Sequence, residues 1–288
     1  MDVSNLVWAA EHDYQILDTR FRVQSSRRDD ADEVARLLAP FAVDGNGEVE
    51  SRLTFSLLRG DQVGPAETDT CIALCDGRRL AARSDVEDQL IAISTMMNQL
   101  AIAECTAFAT HAGVVAIDGA GVAFPAESGG GKTTLTAACL AKGFAYGSDE
   151  ALVVSEESGM VIRYPKPLAL TQWSRSQLNL SSLADAPDGP DAGEHLFVAS
   201  EFGADLTEPE FRLEHVVLSE YGHDAATLEQ APGRDAMTAL LRLSFNHFKD
   251  GERAFRLAAD LANHVSTWRL RYGNPLSAAD LLRRELTR

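Results

Sequence analysis

The run Ala126-Glu-Ser-Gly-Gly-Gly-Lys132-Thr133-Thr134 constrains the fold of this chain more than any other stretch. An apolar segment, Val122-Ala-Phe124-Pro-Ala126, precedes it, and residues 133–141 have helical character. A strand that runs into a glycine turn and then a helix start is the context that a phosphate-binding loop requires. Glycines let the backbone curl so that successive N–H groups point inward at phosphate oxygens. The helix N-terminus adds its dipole to the same anion. Ser128, Gly129, Gly130, Gly131, Lys132, Thr133 and Thr134 would line such an anion, with Lys132 reaching the β/γ-phosphates and the Thr133 hydroxyl holding Mg²⁺. Ala126 stands where the strict pattern has Gly. The plainer alternative is a glycine-rich turn that happens to end in Lys-Thr, and the flanking strand and helix argue against it.

At 288 residues the chain can form one large domain, or a domain with an N-terminal appendage. A formal net charge of −17 argues against a broad nucleic-acid-binding face but leaves room for a local basic site. No apolar run has membrane-spanning length, and Met1-Asp-Val-Ser-Asn lacks a basic-then-apolar signal, so the cytoplasm is the expected location. Of Cys71, Cys75, Cys105 and Cys139, the first two lie in an apolar segment without a second pair at zinc spacing, and the thiols read as buried and reduced.

Along the chain, residues 14–23 and 52–58 have strand character. Residues 32–38 read as a helix that stops at Pro40, and 71–82 as a hairpin around Asp76-Gly77. Ser84-Asp-Val-Glu87 reads as a capping box, with Val86, Leu90, Ile93, Met97 and Leu100 forming one buried stripe behind it. Residues 106–117 and 122–126 should form a hairpin around Asp118-Gly119. Gly119-Ala-Gly121 is no dinucleotide fingerprint, because no helix start follows it. Beyond the glycine loop, residues 144–154, 160–164, 213–219 and 267–272 read as strands. Residues 234–248 and 252–262 read as helices, and a last helix is capped by Ser277-Ala-Ala-Asp280. Residues 185–193 are rich in Pro, Gly and Asp and read as a loop.

Asp149-Glu150 lies one short helix and one strand beyond Lys132. A Mg²⁺–nucleotide site needs an acidic residue near the Thr133 hydroxyl, and phosphoryl transfer to an alcohol needs an acceptor for its proton. Two adjacent carboxylates can divide these tasks, with base and metal ligand not individually assignable; a solvated acidic turn is the alternative. His111 begins the strand before the loop, and such a histidine is more often packed or on the surface than in a site. Lys166, between two prolines, is within conceivable reach of a phosphate, but reads as an exposed loop lysine and is left out of the site. Arg269 and Arg271, between Trp268 and Tyr272, read as a salt-bridged or solvated strand face. His247 and His264 read as structural helix residues.

Taken together, His111-Ala-Gly113, Glu127-Ser-Gly-Gly-Gly-Lys132-Thr133, Lys142-Gly143-Phe, Ser148-Asp149-Glu150 and Pro165-Lys-Pro-Leu resemble the HPr kinase/phosphorylase family. They are closer still to its shorter relatives, the HPr-kinase-like serine kinases. Some of those relatives are encoded with peptide-tailoring systems and phosphorylate a serine of a lasso-type (RiPP) precursor peptide. The similarity covers residues 111–170. The strand Trp268-Arg-Leu-Arg-Tyr-Gly273 and the helix after it are also similar, whereas the N-terminal part matches only loosely. The resemblance implies that His111 orients or polarises the site, that Lys132 neutralises developing charge, and that Asp149 and Glu150 supply metal binding and base function. The parent family has two aspartates at the acidic pair, where this chain has Glu150 second.

The expected fold is α/β. Residues 105–288 would form a P-loop nucleotide-binding core of HPr kinase/PEP carboxykinase type with a mixed sheet and C-terminal helices, and residues 1–104 an N-terminal α+β extension. The expected function is an ATP- and Mg²⁺-dependent kinase that phosphorylates a hydroxyl, foremost a serine of a peptide or protein. Neither a nucleic-acid nor a membrane partner is expected, and a homo-oligomer is left open. A small-molecule alcohol kinase or a PEP-carboxykinase-like phosphotransferase is the alternative within the same chemistry. A reading of another class is an ATP-gated binding or regulatory protein in which residues 185–194 move. The choice of ATP over GTP or pyrophosphate is not legible.

Overall fold

The computed structural model describes residues 6–43, 53–60, 70–80, 85–179 and 193–287. The chain divides into two compact units, Met1–Cys105 with Gly193–Leu196, and Thr106–Ala192 with Phe197–Arg288. The architecture is α/β with mixed sheets.

In the first unit, β1 (Ala10–Ile16) and β2 (Thr19–Ser25) pair as a hairpin. Helix α1 (Arg28–Leu38) crosses over to β3 (Leu53–Arg59), which pairs parallel to β2. β4 (Cys71–Cys75) and β5 (Arg78–Arg79) complete a five-stranded sheet. Their turn has Asp76 at φ 45° and Gly77 at φ 77°, the double left-handed geometry of a tight hairpin. Helix α2 (Val86–Glu104) begins after Asp85, whose side chain accepts from the Asp88 N–H; the expected cap, Ser84, lies outside the described residues. Leu90, Ile93 and Met97 are buried as the spacing predicts, while Val86 and Leu100 are only half-buried. Gln89 is buried too, because its Oε1 accepts the Ala73 N–H at 2.7 Å.

The second unit begins with a hairpin of β6 (Phe108–Ile117) and β7 (Ala120–Pro125) around Asp118-Gly119. Helix α3 (Lys132–Ala141), β8 (Ala145–Ser148), β9 (Ala151–Val154), β10 (Val161–Ile162), β11 (Leu168–Leu170) and α4 (Gln172–Leu178) follow. After β12 (His195–Phe197) come β13 (Glu210–Phe211), β14 (Leu213–Tyr221), β15 (Thr227–Gln230), α5 (Gly233–Arg242), α6 (Gly251–His264), β16 (Ser266–Tyr272) and α7 (Pro275–Leu286). Among the described residues nine strands form one sheet, in the order β13-β10-β9-β6-β7-β14-β16-β15 with β8 also on β6. β7–β14 and β14–β16 are parallel and β6–β7 is antiparallel, so the sheet is mixed because its first strand enters through a hairpin.

Period-two alternation divides the strand side chains between two cores. Val115, Ile117, Val122 and Phe124 pack with α3, α4 and α7, while Ala112, Val114, Ala116 and Ala123 pack with α5 and α6. Helix α5 ends at Arg242, short of the expected residue 248. The residues after it bond to the start of β6 instead: Phe245 N–H donates to Ala109 O, and Asn246 Nδ2 donates to Ala107 O. Helix α7 begins at Pro275, capped by Asn274 rather than Ser277, because Pro is preorganised for the first helical position. His264 ends α6, while exposed His247 lies beyond α5. Arg269 pairs with Glu220 and Asp235, and Arg271 with Glu220 and Glu229, forming the expected salt-bridged face. The four cysteines are free, and Cys75 alone of them is incompletely buried. Most of the loop expected at 185–193 lies outside the described residues. Among the described residues no helix is long and apolar enough to cross a membrane.

Gly113 sets how closely α3 lies on the sheet. A Cβ there would stand 2.4 Å from Thr136 Oγ1, a buried hydroxyl with no hydrogen-bond partner among the described residues. Gly113→Ala is expected to lower stability by about 1–3 kcal/mol through overpacking. Adding Thr136→Ala should restore most of that loss in denaturant unfolding; no recovery in the double variant would refute the close-packing argument.

Candidate active site

Strand register gathers the chemistry. On β6, Ala112 pairs with Pro125, the last residue of β7 before the glycine loop. On the other edge, Ala112 N–H donates to Glu150 O at 3.1 Å, and His111 pairs with Ala151. The loop, the acidic pair and His111 therefore meet at one end of the sheet. The expected single strand over 144–154 is broken at this place. The register on β6 shifts between Val114 and Val115, opposite Gly147, where a Cβ would come within 3.0 Å of Val114 O. Ser148 Oγ then accepts the N–H groups of both Glu150 and Ala151 at 3.1 Å, turning the backbone out of β8 and into β9.

The glycine loop is closed on itself. Gly129 and Gly131 have φ of 77° and 79°, which other residues rarely adopt. Gly131 caps α3 without a side-chain hydrogen bond, leaving the first-turn N–H groups for water or an anion. Glu127 O accepts both the Gly130 N–H, at 3.1 Å, and the Lys132 ammonium, at 2.9 Å. Lys132 is 5% exposed. Burial lowers its pKa, against the opposing fields of Glu150 and Asp149.

Asp149, Glu150, Lys166, Tyr146 and His111 form one cluster. The Asp149 carboxyl group is 2% exposed, and its Oδ1 lies 3.1 Å from Lys166 Nζ and 3.1 Å from the Tyr146 hydroxyl. Lys166 Nζ also lies 3.8 Å from Glu150 Oε2. His111 Nε2 is 3.5 Å from Glu150 Oε1, and its ring packs on Phe245 at 5.4 Å. Burial, reinforced by the Lys132 charge, pulls the His111 pKa down from 6.5 to about 4 against the attraction of Asp149, so the imidazole is neutral at pH 7. Burial beside Asp149 raises the Tyr146 pKa well above 10 and keeps its hydroxyl a donor.

No family model matches the chain, and no curated protein matches it.

The structure thus brings His111, Lys132, Asp149 and Glu150 into one electrostatic neighbourhood. Ser128 and Gly129 are exposed on the loop, Gly130 follows them, and Thr133 is half-buried on the first turn of α3. The Thr134 hydroxyl is turned to α4, donating to Ser174 Oγ at 2.9 Å. Lys166 is the clearest correction. It is no exposed loop lysine but 13% exposed and ion-paired with Asp149. Its flanking prolines were the available signal, since they stiffen the segment that delivers it. Tyr146 carries no sequence signal of its own; it is one more apolar position of a buried strand.

A histidine whose folded pKa is depressed contributes stability that is complete above its unfolded pKa and lost as pH falls through the folded one. Acidification from pH 7 towards 4 should therefore cost this protein up to roughly 3 kcal/mol through His111. His111→Gln should lose about that much less over the same range in paired denaturant titrations. Equal losses in parent and variant would show that His111 is not held neutral by burial.

Proposed function

We propose that the chain is a kinase that moves the γ-phosphoryl group of ATP onto a hydroxyl, with a serine of a peptide or protein as acceptor. Its second unit would then be a phosphate-loop nucleotide core of the HPr kinase/PEP carboxykinase type, working in the cytoplasm where ATP is supplied. The observation that carries this reading is the convergence, at one end of one sheet, of a glycine loop and its lysine with two carboxylates, a second lysine and a histidine. Their spacing in the sequence resembles that of the HPr-kinase-like serine kinases.

In this reading the donor phosphates take the loop and first-turn N–H groups, and Lys132 leaves Glu127 O for the β/γ oxygens. The acceptor oxygen attacks the γ-phosphorus in line, the bond to the β–γ bridging oxygen breaks, and ADP departs. Glu150, a quarter exposed, takes the hydroxyl proton. Neutral His111 orients Glu150 without competing for the proton, and Lys166 with Tyr146 fixes the Asp149 carboxylate. Among the described residues no three His, Cys, Asp or Glu side chains gather to hold a metal unaided. With Glu150 as base, the Thr133 hydroxyl and the Asp149 carboxylate would hold Mg²⁺, which takes one or two carboxylates beside phosphate oxygens and water. When bound, it would neutralise phosphate charge. An open cleft of about 690 Å³, bordered by Ala126, Glu127, Gly130, Arg242 and Arg269, adjoins the loop and suits a peptide segment better than an enclosed metabolite.

Single-turnover assays with γ-labelled ATP, Mg²⁺ and candidate peptides test the reading. Label should pass to a serine. Lys132→Ala should abolish transfer with the fold retained, and Glu150→Gln should slow it about 10²–10⁴-fold. Unchanged turnover in either variant refutes the assigned site, and stoichiometric ATP binding without transfer favours the gated binder.

A further inference from the structure

A second constellation borders the same glycine loop without sharing a side chain with the acid–base cluster. Gly129, Gly130, Gly131 and Thr134 form one wall of a cavity of about 420 Å³, and Trp173, Ser219, Tyr221, Tyr272 and Pro275 form the rest. Lys132 and Thr134 are two positions apart on α3, so they project about 200° apart around the helix. The cavity lies on the Thr134 side.

Three rings form a chain along it. Trp173 and Tyr221 meet edge to face at 5.8 Å, and Tyr221 and Tyr272 at 5.6 Å. Tyr272 is buried, with its hydroxyl 3.3 Å from where a Cβ on Gly131 would stand. Trp173 and Tyr221 are 49% and 50% exposed, which leaves aromatic faces open to water. They are nonetheless held. Thr171 caps α4, and Ser174 in the first turn of that helix accepts from Thr134, tying the helix that carries Trp173 to the helix that follows the loop. Ser219 lines the cavity, and its buried hydroxyl has no hydrogen-bond partner among the described residues. Anchored, open ring faces beside an unpartnered buried hydroxyl are suited to a planar ligand with polar edges.

We propose that this cavity holds the nucleoside end of the phosphoryl donor, with the base against Trp173 and Tyr221 and a polar edge reaching Ser219. The donor is then a nucleoside triphosphate, and inorganic polyphosphates lack the part of the ligand that the cavity grips. The inference rests on the phosphotransferase reading, because it takes the glycine loop as the phosphate end of the same ligand.

Calorimetry on the full chain with Mg²⁺, using ATP and inorganic tripolyphosphate as probes, tests it. ATP should bind more tightly than tripolyphosphate. Trp173→Ala should weaken ATP by about fivefold to a hundredfold, the span of aromatic–base stacking, and leave tripolyphosphate unchanged. Trp173→Phe should retain most of the ATP affinity. Equal affinity of the parent for the two probes, or a Trp173→Ala variant that weakens both alike or neither, overturns the base pocket while the loop assignment stands. Binding of neither probe overturns the loop assignment and the pocket together.

Discussion

Strand β6 is hydrogen-bonded along both edges, to β7 on one side and to β8 and β9 on the other, and the positions of the site residues depend on that double pairing. A slip of one residue on either edge would send Val115 and Ile117 to the face now filled by Val114 and Ala116, against a different set of helices. The large apolar burial on both faces therefore fixes the register, and the register in turn fixes where the polar residues at the end of the strand stand. The Gly147 irregularity is confined to one edge and lets the backbone turn between Ser148 and Glu150 without disturbing β7.

Burying charge at the end of a sheet is costly unless each group is partnered. Here Asp149 is almost wholly buried beside a lysine and a tyrosine hydroxyl, and Lys132 is buried against a backbone carbonyl. Two ammonium groups stand with two carboxylates and a neutral imidazole. The neighbourhood is nearly balanced in a chain whose formal net charge is −17. The neutrality of His111 belongs to that balance, since a third cation among Lys132 and Lys166 would be repelled.

Much of this was legible in the sequence because it is local. The hairpin turn Asp118-Gly119, the glycine loop and the helix after it are written in contiguous residues with strong backbone preferences, and they stand where the pattern puts them. The α2 stripe was legible through its periodicity, although a hydrogen bond to the backbone of another strand adds Gln89 to it. The misreadings share one cause, which is contact with distant chain. Lys166 reads as exposed in the sequence because its partner is 17 residues away. The helical pattern outruns α5 because β6, more than a hundred residues earlier, captures the groups that would have extended it. The aromatic wall was invisible for the same reason: Trp173, Tyr221 and Tyr272 come from three separate elements.

Lys132 resting on Glu127 O has a consequence of its own. The ammonium is already satisfied by its own chain, so an arriving anion competes with an internal acceptor rather than filling an empty socket. One neutral carbonyl is a modest rival to several phosphate oxygens and a serious one to a single weakly charged group. In the proposed reading, such self-occupancy would set a threshold of ligand charge below which the lysine stays on its own carbonyl, and would give it somewhere to return when a spent ligand departs.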